Sequence, residues 1–559
     1  MNLKKIFYIL FLVFCVQIVR AQVDNQSSGS TIEILYADYT ERDENTLPGA
    51  LVLTGNVQAL HDSIYIYCNK AYFFQADNYL KLFGNVRMIQ NDTLQMNSKY
   101  AEYNGKDQIA YASGSVVMRS PNSQLTSEKV YYDRQNGVAY YDEHANIVNR
   151  ENTLVSKEGR YIIAEEKYEF RTHVVLTNPE TKIITDHLDF YEAPGHAYLL
   201  GPSTIESEDS FIYTENGFHD TRLDQSKLLE NSYILTDNKR IDGEDIYYDK
   251  NINYTRAINH VKVTDTINNM IATSHFAEIY QFPDGRDSVY ITQKPLIKML
   301  AEEDSTYFHA KEIFLTGREN ERVMWGYTDA RMFRDPDMSA KADSIHFQQK
   351  LGLTKLLGKP VAFKGESQIT GEIMHLINDT ITEKMDSIKV LKDAFLIQKD
   401  TLGTGFNQAK GINLYGKFID DELKEVDLIQ NAEMIYYIYD EDDLLTGIDK
   451  GIASQIRLEL EDNQITTATR MVSPKGETYP PDEFPENARL FPGFNWRGDE
   501  RIMRPEDIFP ESENLQEDKL LEELNQQLEE QSEIKLQQET IDYQLNKKEK
   551  PVNKIQNES

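Results

Sequence analysis

Gly55-Asn56-Val57, Gly84-Asn85-Val86, Gly114-Ser115-Val116 and Ala145-Asn146-Ile147 are versions of one phrase, and their last residues lie 29, 30 and 31 positions apart. A second phrase keeps step with the first: Asp62-Ser63-Ile64, Asp92-Thr93-Leu94, Ser123-Gln124-Leu125 and Asn152-Thr153-Leu154, at intervals of 30, 31 and 29. A third follows some residues later, as Ala71-Tyr72-Phe73, Ala101-Glu102-Tyr103 and Val130-Tyr131-Tyr132. Three phrases in register over successive periods mark an internal repeat. Aligned on the glycine, one strand face carries Leu51, Leu53, Val57 and Ala59, then Leu80, Leu82, Val86 and Met88, then Ala110, Ala112, Val116 and Met118. The positions between them are mainly polar: Thr54, Asn56 and Gln58, then Lys81, Asn85 and Arg87, then Ser113, Ser115 and Arg119. Alternation with period two predicts a half-buried strand. A glycine in mid-strand predicts a bulge or a sharp bend. The Asp-Ser/Thr-aliphatic phrase predicts a hairpin whose carboxylate caps its own backbone.

The Asp-Ser/Thr element recurs at Asp209, Asp265, Asp287, Asp304, Asp343, Asp379, Asp386 and Asp400, with irregular spacing after residue 180. Repeats are expected to about residue 470, with insertions in the middle and no long helix. A repeat of this kind cannot bury its apolar face alone, so successive copies must stack into one core. At ~30 residues per repeat the stack holds roughly 15 repeats and extends on the order of 70–110 Å.

The remainder of the 559-residue chain sets the context. Lys4 and Lys5, the apolar run Ile6 to Val19 and the small residues before Gln22 read as a secretory signal peptide cut after Ala21. An N-terminal anchor helix is the other reading of this run. Cys15 follows the bulky Phe14, an unfavourable setting for lipidation. The formal charge is −33, and loss of Lys4, Lys5 and Arg20 leaves 56 basic against 92 acidic residues, or −36. Such acidity argues against nucleic acid and against an anionic membrane surface as partners. Cys68 is then the single cysteine. It cannot form an intrachain disulfide, and its place in an alternating run predicts a buried structural thiol. No later stretch is long and apolar enough for a transmembrane helix. The C-terminal part does not read as the closing strands of a membrane barrel.

Residues 474 to 510 hold seven of the 17 prolines, interleaved with Phe484, Phe491, Phe494, Trp496 and Phe509. So dense a set of aromatics predicts a segment docked on the body. From Asn514 to about Lys548 the spacing of Leu521, Leu524 and Leu528 reads as an acidic helix. The expected organisation is a signal peptide at 1–21, a leader at 22–30, clear repeats at 31–190 and divergent repeats at 191–470. A Pro- and aromatic-rich capping or linker segment at 471–513 and an acidic helical tail at 514–559 complete it.

The Gly-Asn-Val phrase, the Asp-Ser/Thr turn and the ~30-residue step in an exported chain resemble the OstA-like domain. That family comprises the periplasmic lipopolysaccharide bridge protein and the N-terminal part of the outer-membrane lipopolysaccharide assembly protein. The likeness is clearest over residues 31–190. It implies an all-β, elongated open β-jellyroll, V-shaped, with two facing antiparallel sheets and lipid acyl chains between them. The implied trough residues are Leu51, Leu53, Val57, Leu80, Leu82, Val86, Met88, Val116 and Met118. The implied partners are lipopolysaccharide or another glycolipid, further jellyroll components joined through edge strands, and the outer-membrane assembly barrel protein. No cofactor or metal is implied. On this reading the N-terminal edge near Ile32 to Tyr39 is open, and segment 474–510 covers the C-terminal edge.

No catalytic constellation stands against this. The sequence holds no HExxH, G-x-S-x-G, phosphate loop or CxxC, and its 11 histidines are scattered. Asp440-Glu441-Asp442-Asp443 lacks the spacing of a calcium loop and reads as a solvated hairpin tip, as does Asp420-Asp421-Glu422. Tyrosine pairs such as Tyr131-Tyr132, Tyr140-Tyr141, Tyr247-Tyr248 and Tyr436-Tyr437 would either stack on sugars or place one ring in the core. Two rival readings remain: a structural or adhesive β-solenoid with a closed core, and a polysaccharide-acting enzyme on a parallel β-helix. The second requires Asp, Arg or Lys clustered on one strand face over successive turns, which the sequence lacks.

Overall fold

The computed structural model describes residues 30–514, except 43, 46, 91–93, 237, 302–303 and 463. The expected signal peptide, nearly all of the leader, and the helical tail beyond residue 514 lie outside the described residues. The chain is almost wholly β and antiparallel, a β-jellyroll in which each strand pairs mainly with its neighbours in sequence. It divides into two compact units between Ser232 and Tyr233. No described helix is long and apolar enough to cross a membrane.

The corner phrase decides how each strand runs. Gly55 and Asn56 have φ of +80° and +46°, and Gly84 and Asn85 have +71° and +49°. Gly114 and Ser115 follow at +81° and +53°. Two successive left-handed residues break the ladder. In Leu51–His61 the pairing stops after Thr54↔Lys70 and resumes at Val57↔Cys68. The strand therefore bends, and its two halves belong to two ladders. Beyond Ser123–Asp133 the ladders separate. Ala145–Asn149 pairs with the first half of that strand, and Val138–Tyr141 pairs with the second. Glycine is needed at the corner for space as well as for φ. A Cβ on Gly55 would lie 2.2 Å from the Asp38 carboxylate, which accepts a hydrogen bond from the Asn56 amide.

The corner recurs where the sequence phrase is lost. Thr172-His173, Glu230-Asn231 and Asn259-His260 all have paired positive φ, and Gly201 takes the same place between the first two at +119°. From Thr172 to Gly201, Glu230 and Asn259 every step is 29 residues. The repeat is thus regular well past residue 180, and the irregular spacing of the Asp-Ser/Thr element misreports it. Later corners at Gln293-Lys294, Thr328-Asp329, Lys392-Asp393 and Gln430-Asn431 are more widely spaced. Asn, Asp and His tolerate the left-handed region better than other non-glycine residues, and they fill the second place at several of these corners.

The Asp-Ser/Thr elements split into two kinds. Asp62, Asp209, Asp379 and Asp400 sit in turns, and Asp379 accepts hydrogen bonds from the Ile381 and Thr382 N–H groups. Asp287, Asp343 and Asp386 lie inside strands, so these three are not hairpin turns.

The Pro- and aromatic-rich segment docks, but on a face. Phe484 and Phe491 are buried with Phe395, Ile397, Ile435, Tyr437 and Ile448, and Ile502 and Ile508 with Phe333. Beneath it the burial no longer alternates: Ala394 to Gln398 are all buried. One set of these side chains faces the interior and the other faces the segment. The expected capping of the C-terminal edge is therefore corrected to coverage of a sheet face. Among the described residues the last strands, Gln464–Met471 and Lys475–Tyr479, pair only with Leu445–Glu461.

Candidate functional site

Alternation directs one side chain in two to the interior, and cross-strand register arranges these in rows. One row in the first unit runs Leu53, Ala71, Leu82, Ala101, Ala112 and Val130. Another, beyond the corner, runs Ala59, Ile66, Met88, Met96, Met118 and Leu125. Leu53, Val57, Leu80, Leu82, Val86, Met88, Val116 and Met118 are all buried, whereas Leu51 is half-buried. Asn56, Asn85 and Arg87 are exposed on the opposite face, where the Arg87 guanidinium lies 4.6 Å from the Tyr67 ring centroid. The predicted residues come from alternate strands. The intervening strands contribute Ile66, Ala71, Met96, Ala101 and Val130, which the site prediction omitted. Their signal was the third repeated phrase, with Ala71, Ala101 and Val130 at its head.

In the first unit an open cleft of about 610 Å³ runs along the corners past Val57, Cys68, Val86, Asn97 and Ser115. A gap of about 20 Å³ lies among Ile64, Met88, Met96, Met118 and Tyr132. Unbranched methionines line it, and they adapt readily to irregular space. At one end of the strands, buried polar groups close the core. His61 Nδ1 and the Tyr103 hydroxyl are 2.7 Å apart, and the Asn78 amide oxygen accepts from the Ile32 N–H. Burial pushes the Tyr103 hydroxyl up to about 12. Cys68 is buried, its thiol donates to the Lys70 carbonyl, and burial pushes it up to about 11. This is a structural thiol rather than a nucleophile.

The second unit holds a pocket of its own. A cavity of about 370 Å³ has an apolar lining of Met299, Phe308, Met332, Phe347, Leu376 and Met385. Its rim carries Arg334, Lys350, Asp304, Asp379 and Glu383. Nearby, Lys239, Asp265, Asp287 and Arg322 form a buried cluster, with Lys239 Nζ 2.6 Å from Asp287 and Arg322 Nη2 3.1 Å from Asp265. Arg322 also pairs with Asp287. Burial holds the Lys239 and Arg322 pKa values down while the carboxylates pull them up. No cluster of metal-ligating side chains occurs among the described residues.

Asp440 to Asp443 form a hairpin tip, whose Asp440 carboxylate accepts from the Asp442 and Leu444 N–H groups. Asp421 is not merely solvated. It accepts from the Met385 N–H and from Arg334, tying two turns together. In the tyrosine pairs, Tyr132, Tyr141, Tyr248 and Tyr437 are buried while their partners are more exposed. On the outer face, Tyr72, Phe83, Tyr100, Tyr111, Tyr131 and Tyr140 form a cross-strand ladder with ring centroids 4.9–6.4 Å apart. Tyr131 and Tyr140 stack at 9°, so those faces are spent on each other. The ladder is a stabilising device of the sheet, each pair adding about 0.5–1.5 kcal/mol beyond its burial.

Residues 29–186, which carry the clearest repeats and corners, match the family described as OstA-like protein. Among solved structures the chain is similar to LptH, described as the LptA homologous periplasmic component of the lipopolysaccharide transport device from Pseudomonas aeruginosa. The two are 19% identical over 25% of this chain and 92% of that one, with a TM-score of 0.20. No curated protein matches the chain.

Proposed function

We propose that this chain is a non-enzymatic component of envelope assembly in the periplasm. It shields the acyl chains of lipopolysaccharide, or of a related glycolipid, on their way to the outer membrane. The observation that carries this reading is the continuous inward row of the OstA-like domain, Ala59, Ile66, Met88, Met96, Met118 and Leu125. Hiding an acyl chain from water is worth about 0.8 kcal/mol per CH₂ and requires apolar walls, not reactive groups. Met88, Met96 and Met118 border a small gap between the inward rows, where unbranched side chains yield most readily to a lipid chain. The acidic exterior keeps anionic headgroups off the outer walls or holds them through divalent cations.

Partners join at the ends of the ladders. Among the described residues Glu33–Tyr36 and Tyr39–Glu41 pair only with Leu51–His61, and Leu35, Tyr36 and Tyr39 are exposed. Unpaired strand edges template another strand. Further jellyroll components, and the outer-membrane assembly barrel protein beyond them, are the proposed occupants.

The small size of the gap among Met88, Met96 and Met118 favours a second reading, a structural β-protein with a closed core. Photocrosslinking in cells separates the two. A photoreactive residue at Met96 or Leu376 is expected to form lipid adducts, and one at Arg87 is not. Absence of lipid adducts at both inward positions, with the protein folded, leaves the closed-core reading standing.

A further inference from the structure

The segment from Pro480 to Ile508 forms a strap over the outer face of the second unit, and buried side chains read its main chain. Gln408, 2% exposed, donates from Nε2 to the Arg489 carbonyl at 2.8 Å and accepts at Oε1 from the Phe491 N–H at 2.9 Å. Gln368, 0% exposed, repeats the arrangement with the Asn495 carbonyl at 2.8 Å and the Arg497 N–H at 2.6 Å. Each amide engages a carbonyl and the N–H two residues further on, as a neighbouring β-strand does. Ser339 Oγ accepts from the Ile502 N–H, and Arg331 donates to the Ile508 carbonyl. All four side chains grip main chain. Between these grips, Phe484, Phe491, Ile502 and Ile508 fill apolar positions.

We propose that this face is a receptor groove for an extended peptide, and that a second copy of the chain fills it by exchanging straps. An empty groove takes four hydrogen bonds from two buried amides, leaving Gln408 Nε2 only the Phe406 carbonyl, and uncovers the lining aromatics, so strap departure favours strap replacement. A second copy offers every contact unchanged. The connection that must change is short. Between Tyr479, the end of the last strand, and Phe484 lie only four residues, beginning with Pro480-Pro481. In the closed form the Glu483 N–H donates back to the Pro480 carbonyl at 3.0 Å. Pro481 occupies the second position of this turn, which its fixed φ suits, while Pro480, held extended by the proline after it, leads an opened connection straight away from the body. Strap exchange uses a sheet face, and so is independent of the edge pairing proposed above.

The test uses the full chain in isotopically heavy and light forms, each with a photocrosslinker at Phe494, whose ring centroid lies 5.1 Å from that of Phe406. The two forms are mixed at high concentration, incubated and irradiated. The strap and Phe406 peptides are then analysed by mass spectrometry. Exchange predicts heavy–light cross-links approaching about half of the total, the statistical share for a symmetric swap. Gln408→Leu, which weakens one grip, is expected to reach that share sooner. Cross-links confined to one isotope at every concentration overturn the proposal and make the strap a permanent internal part. Dimers without mixed strap cross-links overturn it equally, because they place association elsewhere.

Discussion

Both units bend their long strands at mid-length by the same left-handed corner, and the residues at the bend differ along the chain. The first begins with Gly55-Asn56, Gly84-Asn85 and Gly114-Ser115, and its interior holds a gap of about 20 Å³. The second bends at Asn259-His260, Thr328-Asp329, Gly358-Lys359 and Lys392-Asp393, holds a pocket of about 370 Å³, and buries Lys239, Asp265, Asp287 and Arg322. It also carries a strap over its outer face. The corner geometry is therefore the invariant of the fold and the glycine is not. Once neighbouring strands dictate the bend, a non-glycine residue accepts the left-handed region at a cost of roughly 1–2 kcal/mol.

The first way to break this comparison is to charge the packed interior. Val86→Asp is expected to cost several kcal/mol by placing a carboxylate in an apolar core, while the adjacent Arg87→Asp shifts stability by less than about 1 kcal/mol. Urea denaturation followed by circular dichroism checks both. Similar losses for the two would remove the distinction between inner and outer faces.

Acid is expected to act on the second unit. Burial pushes His309 down to about 4, against the Arg331 and Lys294 charges nearby, and its Nδ1 donates to the Pro295 carbonyl. Because the folded pKa lies below the unfolded one, the stability that neutral His309 contributes is fully present above pH ~6.5. The unit loses up to about 3 kcal/mol as the pH falls toward 4, where the unfolded chain takes the proton first. Glu513, 3.6 Å from His309 Nε2, has its carboxyl pushed up by burial, so its contribution runs the other way, weakening the unit as pH rises. Fluorescence of Trp325 and Trp496 reports this unit, and His309→Gln is expected to flatten the loss in that window.

Smaller effects sharpen the corner itself. Gly84→Ala is expected to cost about 1–2 kcal/mol, because φ is +71° and the new Cβ lies 2.9 Å from the Asn69 amide. Thr172→Gly, at the matching place, is expected to gain less than about 1 kcal/mol, the relief of φ being partly offset by glycine's greater unfolded freedom. Thermal melts of the pair decide it. If Thr172→Gly destabilises as much as Gly84→Ala, corner geometry does not explain either residue.

Much of the first unit was legible in the sequence. Val57, Val86 and Val116 sit beside glycines that announce the bend, and polar residues mark the outer face unambiguously. The later corners were not, since Thr172-His173 or Gln293-Lys294 carry no side-chain signature of a left-handed backbone that neighbouring strands impose. The docking of Phe484 and Phe491 could be read from aromatics among prolines. Their seat could not be read from the segment itself. The clue lay 90 residues away, in the unbroken run Ala394-Phe395-Leu396-Ile397-Gln398, which needs a cover on each side. The cavity rim had no clue at all, because Arg334 and Glu383 meet only through segments distant in sequence.

The pairing of each strand with its neighbours in sequence has a kinetic consequence. Closing each hairpin orders only a short loop, so the ladder can grow one strand at a time as the chain emerges, without waiting for distant partners. The strap is the exception. The contact from Arg331 to the Ile508 carbonyl spans 177 residues, and it forms only after the groove beneath it exists. The second unit thus acquires its final covering last, and until then its outer aromatics are in water, the interval in which a chaperone or a second nascent chain has access to them.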